Sequence, residues 1–164
     1  MPFELPDNLH PDCAPIARLL GTWQGNGHGV YPTIEAFQFG QECIFTHDGR
    51  PFFHYMSRAW IVDEQGEKVR DAAIETGFLR PKADGTVEWL LTHNTGFAEV
   101  WYGTAEGAKI DITTDAVVRT HSAKEVTGGH RLYGLVEGDL LWAYDMAAVG
   151  QPLQPHLWGR LIRQ

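Results

Sequence analysis

Apolar and polar residues alternate along most of the chain, in short segments. A repeat of two residues is typical of β-strands that bury one face, because successive side chains of a strand point to opposite sides. Three sets of residues are predicted to share a buried face in this way: Phe37, Phe39 and Phe45; Phe52, Met56 and Trp60; and Leu140, Trp142, Tyr144 and Met146.

Dipeptides that favour tight turns separate these segments at short and fairly even intervals. Each of them contains glycine, which accepts the positive φ of hairpin turns. Regular spacing of this kind predicts a meander of antiparallel hairpins. In residues 113–129, the least regular stretch, we predict a loop at one rim of the sheet. The dipeptides are Asp48-Gly49, Gln65-Gly66, Asp84-Gly85, Glu106-Gly107, Gly128-Gly129 and Glu137-Gly138.

One short segment, residues 10–21, predicts a helical turn that begins after Pro15 and ends at Gly21. No long helix remains to cover a sheet, and closing about ten strands into an antiparallel barrel removes the exposed edges. We therefore predict an all-β, ten-stranded antiparallel β-barrel with a short N-terminal helical turn, in preference to a β-sandwich. A barrel of this width encloses a ligand cavity. Residues 1–164 are treated as a single domain, with residues 1–14 as an N-terminal extension.

Composition and charge narrow the possible functions. Hydrophobic residues make up 43% of the 164 residues, which is enough for one core. The 13 Lys and Arg residues against 21 Asp and Glu residues give a net charge of −8, which argues against nucleic acid and anionic membranes as partners. Neither a signal peptide nor a run of about 18 apolar residues is found, so we expect a cytoplasmic protein. Cys13 and Cys43 are expected to be reduced structural thiols.

The stretch GNGHG, residues 25–29, is rich in glycine but lacks the lysine and the following helix of a phosphate-binding loop. Two interpretations stay open: a strand bent by glycine, or a strand whose backbone approaches a ligand. Gly25, Gly27 and Gly29 alternate, so they share a face. The second interpretation predicts a flat strip on which a planar ligand lies.

His156 stands in the C-terminal stretch QPLQPHLWGR, residues 151–160. Strand parity places it on one face with Trp158, Arg160 and Ile162. A lone histidine in an apolar strand is either a hydrogen-bonded core residue or a ligand, and these residues alone favour the core residue. The eight histidines show no zinc-binding spacing, and no nucleophile motif is present.

Longer motifs carry a family resemblance. Gly21 and Trp23 are similar to the signature of the calycins, in which the indole closes one end of a lipocalin or fatty-acid-binding barrel. The whole run from residue 21 to 33, Gly-x-Trp-x-Gly-x-Gly-x-Gly-x-Tyr-Pro-Thr, resembles the nitrobindin family. The segments 75–81, 122–127 and 146–157 resemble that family in the same order.

This resemblance implies a lipocalin-like barrel that holds one ferric b-type haem per chain, with His156 as the axial ligand of the iron. It also implies nitric oxide binding and the isomerisation of peroxynitrite to nitrate, by a monomer or weak homodimer. Thr33, Lys124 and Arg131 are candidates for polar contacts with the haem. Ala72-Ala73 stands where relatives carry a histidine after a larger apolar residue, so a more open and less polar pocket is expected.

Two other functions stay open. One is a non-catalytic sensor or carrier of nitric oxide. The other is a haem-free calycin that carries a fatty acid, in which Arg131 and Tyr133 bind the carboxylate of the ligand.

Overall fold

Ten strands follow one short helix in the computed structural model, which describes residues 2–107 and 109–164. The helix is a 3-10 helix, Pro11–Leu19. The strands are β1 Gly21–Tyr31, β2 Ile34–Thr46, β3 Phe53–Val62, β4 Lys68–Pro81, β5 Thr86–His93, β6 Phe97–Glu106, β7 Lys109–Arg119, β8 Val126–Val136, β9 Asp139–Ala148 and β10 Gln154–Arg163.

The strands form a closed antiparallel barrel, in which each strand pairs with its neighbours along the chain and β1 pairs with β10. The predicted ten-stranded barrel is therefore confirmed. Its shortest ladder joins β7 to β8 through four residue pairs, between 110–113 and 130–133. Beyond this ladder the two strands separate toward the loop 120–125, and the amide of Gly129 donates to Thr114 Oγ1 at 2.8 Å.

The helix and Trp23 close one end of the barrel. The indole is fully buried and its Nε1–H donates to the Leu19 carbonyl at 2.8 Å, while the Arg163 guanidinium lies 4.3 Å from the ring centroid. The predicted closing role of Trp23 is confirmed. The helix starts at Pro11, not after Pro15, because His10 caps it by accepting the Asp12 amide.

The interior confirms two of the three predicted faces. The residues of the β2 and β9 sets point inward, whereas the set of Phe52, Met56 and Trp60 lies on the outer face and the prediction for it was wrong. On β3 the inward residues are the alternate ones, Phe53, Tyr55 and Ser57. A period of two residues identifies a shared face but does not say which side of the sheet that face is on.

Glycine marks the hairpin turns at five of the six predicted positions, where Gly49, Gly66, Gly85, Gly107 and Gly138 have positive φ. Gly128-Gly129 was wrongly predicted as a turn, because both residues lie within β8. A Cβ at position 129 would lie 2.7 Å from the rings of both Trp101 and Tyr144, so close packing explains that glycine. The predicted rim loop is shorter than 113–129 and spans 120–125.

Cys13 and Cys43 are free and buried, as predicted for structural thiols. Burial raises the pKa of the Cys13 thiol to about 11. Among the described helices, none is long and apolar enough to span a membrane.

Candidate functional site

A cavity of about 410 Å³ lies at the end of the barrel away from the helix. Its walls combine apolar side chains with a few buried polar groups, which is the usual composition of a site for an organic ligand or cofactor. The lining residues from β2 to β4 are Ile34, Glu35, Phe37, Phe39, Gln41, Ser57, Ala59, Ile61, Arg70, Ala72, Ala73 and Glu75. The others are Lys124, Arg131, Trp142, His156 and Leu157.

His156 lines this cavity because β10 contains a bulge. Pro155 pairs with Asp145 and Leu157 pairs with Tyr144, so His156 is an extra residue in the ladder. The predicted shared face with Trp158, Arg160 and Ile162 was therefore wrong. After the bulge those three residues point outward, and Trp158 is 41% exposed whereas His156 is 8% exposed.

The hydrogen bond of the His156 ring defines its tautomer. Nδ1 lies 2.9 Å from the Val30 carbonyl oxygen. A carbonyl accepts hydrogen bonds only, so Nδ1 carries the proton and Nε2 keeps its lone pair. Histidine ligands of metals commonly donate their other N–H to a backbone carbonyl in this way.

Burial of His156 lowers its pKa; the hydrogen bond to Val30 opposes this effect, and the positive charges of Lys124 and Arg131 add to it. The imidazole is therefore neutral at neutral pH, which is the form that binds a metal ion.

Tyr31 holds the position of the His156 ring and was not among the predicted site residues. Its ring meets the imidazole edge-on with a centroid distance of 5.3 Å. The Tyr31 hydroxyl accepts the Ala148 amide at 2.9 Å and lies 3.0 Å from the Met146 carbonyl oxygen, so the side chain ties β1 to β9. Tyr31 belongs to the motif of residues 21–33, which was the available signal in the sequence.

Arg131 lies in the inner wall of the cavity and is only 2% exposed. Its two terminal nitrogens donate to the two carboxylate oxygens of Glu75 at 2.7 and 2.9 Å, and one of them also donates to the Tyr133 hydroxyl at 3.0 Å. Burial alone would raise the pKa of Glu75, but the charge and hydrogen bonds of Arg131 outweigh burial and lower that pKa to about 2. The positive charge of Arg131 is thus neutralised within the protein.

A second buried histidine, His93, lies next to this ion pair. Its Nε2 is 2.5 Å from Glu99 Oε1, its Nδ1 is 3.5 Å from Glu75 Oε2, and its ring stacks on Phe97 at 3.9 Å. His93 does not line the cavity. The sequence did not indicate this network, because it depends on the register that pairs Glu75 with His93 across β4 and β5.

Charged side chains stand at the mouth of the cavity, where Glu35, Arg70 and Lys124 contribute to the lining. The side chain of Lys124 is exposed as a whole, but the protein around its amino group removes part of its solvent and so lowers its pKa. Thr33 is exposed in the turn between β1 and β2 and does not line the cavity.

Ala72 and Ala73 both face the cavity because β4 has a bulge opposite Ala59, where Arg58 pairs with Ile74 and Trp60 pairs with Asp71. Only methyl groups project from these two positions, so this part of the wall offers neither a hydrogen-bond donor nor a bulky side chain.

The glycine strip of β1 is covered by side chains of the protein. A Cβ at Gly27 would overlap the ring of Phe39, and a Cβ at Gly29 would overlap the ring of Phe37. The interpretation that a planar ligand lies on this strip was therefore wrong. The glycines make room for two phenyl rings that themselves line the cavity.

These residues fit a haem. The imidazole offers Nε2 as a nitrogen ligand, the walls include Phe37, Phe39 and Leu157, and Arg70 and Lys124 offer positive charge at the mouth for the propionates.

Comparison with known proteins agrees with this geometry. The sequence model of the family described as "THAP4-like, heme-binding beta-barrel domain" matches residues 12–163. The chain is 77% identical over 164 residues, 100% of both chains, to a protein of a Nocardioides species named peroxynitrite isomerase. It is 46% identical over 165 residues, 99% of each chain, to a protein of Cutibacterium acnes named ferric nitrobindin-like protein.

A solved structure has the same fold. The crystal structure of Rv2717c from M. tuberculosis matches with a TM-score of 0.86 and 37% identity, over 95% of this chain and 99% of that chain. The resemblance to nitrobindins that the motifs indicated is confirmed.

Proposed function

The chain belongs to the THAP4-like, heme-binding β-barrel family, and on that premise we propose that it is a ferric b-type haem protein that isomerises peroxynitrite to nitrate. It holds one haem through His156 and also binds nitric oxide. Relatives named peroxynitrite isomerase, one of them identical at 77% of positions over the whole chain, support this activity.

The observation that carries the proposal is that His156 lines the cavity while its Nε2 has no hydrogen-bond partner among the described residues. The backbone carbonyl of Val30 holds Nδ1 as a donor, and burial keeps the ring neutral, so the chain presents one nitrogen ligand in its binding form. When bound, ferric haem supplies a Lewis-acidic iron with an open coordination position for an anion that contains a weak O–O bond.

The side chains around this position bind the haem propionates and guide the anion into the cavity. Arg70 and Lys124 place positive charge at the mouth of a chain whose net charge is −8, and so favour the entry of an anion and the binding of the propionates. The methyl groups of Ala72 and Ala73 leave the wall of the cavity open. Peroxynitrite isomerisation moves atoms within one ion, so no acid and base pair is required of the chain.

The fatty-acid alternative is disfavoured by the ion pair in the inner wall. Arg131, one of the two residues expected to bind a ligand carboxylate, already binds the carboxylate of Glu75 and also donates to the hydroxyl of the other, Tyr133. A fatty acid in this cavity would have to displace a buried internal partner, which would leave the Glu75 charge uncompensated.

Two measurements on purified protein test the proposal. The pyridine haemochrome spectrum reports the haem type and, with the protein concentration, the stoichiometry. Stopped-flow decay of peroxynitrite with measurement of the nitrate yield reports turnover. We expect b-type haem at about one per chain and faster decay to nitrate, both lost in His156→Ala.

Haem binding and nitric oxide binding without accelerated decay of peroxynitrite would instead identify the sensor or carrier. A colourless protein that binds fatty acid would contradict the proposal altogether. A cytoplasmic location and a monomeric or weakly dimeric state stay predictions of the sequence, and cell fractionation and sedimentation velocity check them.

A further inference from the structure

Three buried polar side chains form a hydrogen-bonded chain in the lining of the cavity. The Trp142 Nε1–H donates to Gln41 Oε1 at 2.9 Å, and Gln41 Nε2 donates to Ser57 Oγ at 2.9 Å. The exposed fractions of Trp142, Gln41 and Ser57 are 7%, 5% and 4%. The three residues come from β9, β2 and β3, so this series of hydrogen bonds spans the interior of the barrel.

The Trp142 indole determines which group donates and which accepts along this series of hydrogen bonds. An indole N–H donates and never accepts, so the amide oxygen of Gln41 must face Trp142. The amide nitrogen of Gln41 then faces Ser57, and because an amide nitrogen only donates, Ser57 Oγ is the acceptor. The hydroxyl proton of Ser57 is left for another acceptor.

The described part of the protein supplies no such acceptor. Within residues 2–107 and 109–164, Gln41 is the one hydrogen-bond partner of Ser57 Oγ, and Ser57 lines the cavity. A buried hydroxyl without an acceptor is costly, so its proton is matched by an occupant of the cavity. Arg131, the other strong donor of the inner wall, uses its two terminal nitrogens on Glu75, and its Nε has no partner among the described residues.

We propose that the Ser57 hydroxyl is a directed hydrogen-bond donor to a small anion bound in the haem-loaded cavity, and that Gln41 and Trp142 are positioning residues for this donor. The inference rests on the proposed function and assigns part of its anion selectivity to one side chain. Anions that accept a hydrogen bond are favoured over weak acceptors of the same size, because only the former compensate the buried proton.

The test uses the haem-loaded protein and two probes, fluoride on the ferric form and carbon monoxide on the reduced form. Fluoride accepts a strong hydrogen bond, and the C–O stretching frequency of the carbonyl complex falls when a donor points at the ligand. In Ser57→Ala we expect fluoride affinity to fall about tenfold, the usual size of one hydrogen bond to a charged group, and the C–O frequency to rise.

Matched variants distinguish the effect of the Ser57 hydroxyl from the effect of other changes at this position. Ser57→Thr keeps the hydroxyl, so both probes should stay close to wild type, whereas Ser57→Cys keeps the volume with a weak donor and should behave like Ser57→Ala. Trp142→Phe leaves the Gln41 amide free to rotate and should lower fluoride affinity by less than Ser57→Ala. Thr104→Ala on the outer face is the control for loss of a hydroxyl elsewhere.

The outcomes distinguish this inference from the proposed function. Unchanged fluoride affinity and C–O frequency in both Ser57→Ala and Ser57→Cys, with haem still bound through His156, would overturn the inference alone. Haem that binds equally well to His156→Ala would overturn the proposed function. If Ser57→Ala does not fold, the pair of Ser57→Cys and Ser57→Thr decides the question with the same probes.

Discussion

In the described part of the barrel, two histidines have buried side chains in different surroundings, His93 and His156. His93 has a carboxylate within 3.5 Å of each ring nitrogen and a phenyl ring stacked on its face, so neither nitrogen is available to a ligand. His156 has one nitrogen bound to a backbone carbonyl and the other free in the wall of a cavity. The same residue type is thus a structural hydrogen-bond partner in one place and a candidate metal ligand in the other.

The ladders around the two histidines explain this difference. His93 lies opposite Glu75 in a regular antiparallel ladder, where cross-strand neighbours meet side by side and satisfy each other. His156 is the extra residue of a bulge, so no residue of β9 lies opposite it. An interrupted ladder leaves one nitrogen free, and four predictions test this account.

The largest effect is expected from His156→Ala, which should abolish tight haem binding and leave the barrel folded. Loss of outer partners of a metal ligand commonly costs about 10- to 100-fold in affinity, and loss of the ligand itself costs more. Transfer of haem to excess apomyoglobin measures the affinity, and circular dichroism checks the fold. A variant that kept the wild-type Soret position and affinity would show that another residue is the ligand.

The opposite pattern is expected from His93→Ala, which should lower stability and leave haem affinity within about threefold of wild type. The change removes the one hydrogen-bond partner of the Glu99 carboxylate among the described residues, and leaving a buried polar group without its partner costs about 1 to 3 kcal/mol. Urea unfolding of the haem-free protein measures this loss. Equal losses of stability in His93→Ala and His156→Ala would contradict the distinction.

A smaller effect is expected from pH. Burial lowers the pKa of His156 in the folded state below its ordinary value of 6.5. Below pH 6.5 the unfolded chain takes up a proton that the folded chain rejects, so the stability of the haem-free protein falls as pH decreases through this window. Haem affinity falls as well, because the proton competes for Nε2.

His156→Ala is the control for this pH dependence, because it removes only the contribution of His156 to the change of stability with pH. The contribution of Glu75, which is lost as pH falls from 4.5 toward about 2, stays in both proteins. Parallel stability curves for wild type and His156→Ala between pH 7 and 5 would show that burial does not perturb this imidazole.

The smallest effect is expected from Lys124→Met at the mouth. The positive charge of Lys124 lowers the pKa of His156, but the side chain is exposed and solvent screens its charge. Loss of this charge should therefore raise that pKa slightly and weaken haem binding by less than about fivefold. Lys82→Met, at the helix end of the barrel, is the matched control. A loss of haem affinity that is the same at low and high salt would argue against a charge effect.

The sequence predicted the fold better than it predicted the orientation of individual side chains. Period-two patterns and glycine turns were sufficient for a closed ten-stranded barrel, and Trp23 closes it as expected. The assignment failed where one residue is added or where both faces of a strand carry large apolar residues. The bulge at His156 reversed the parity of Trp158, and Met56 and Trp60 are apolar residues of an outer face that no spacing rule separates from the core.

The site was predicted in part. His156 was identified through the family motif, and it lines the cavity together with Lys124 and Arg131. The role of Arg131 was not predictable, because its partner Glu75 is 56 residues away along the chain and meets it only across the closed barrel. The same holds for Tyr31, whose hydroxyl bonds to residues more than 100 positions away.

The short ladder between β7 and β8 has a consequence for the timescale of motion in the wall. Four residue pairs join these strands, whereas the ladder between β8 and β9 runs from the pair Val126–Ala148 to the pair Val136–Asp139. Separation of β7 from β8 therefore breaks the fewest hydrogen bonds. Within residues 110–113 and 130–133, the amide protons that bond across this ladder are therefore expected to exchange with solvent by local opening, before those of the other ladders. Loop 120–125 lies at the open end of this seam and carries Lys124, which lines the cavity, so local opening of the seam would widen the cavity wall on this side.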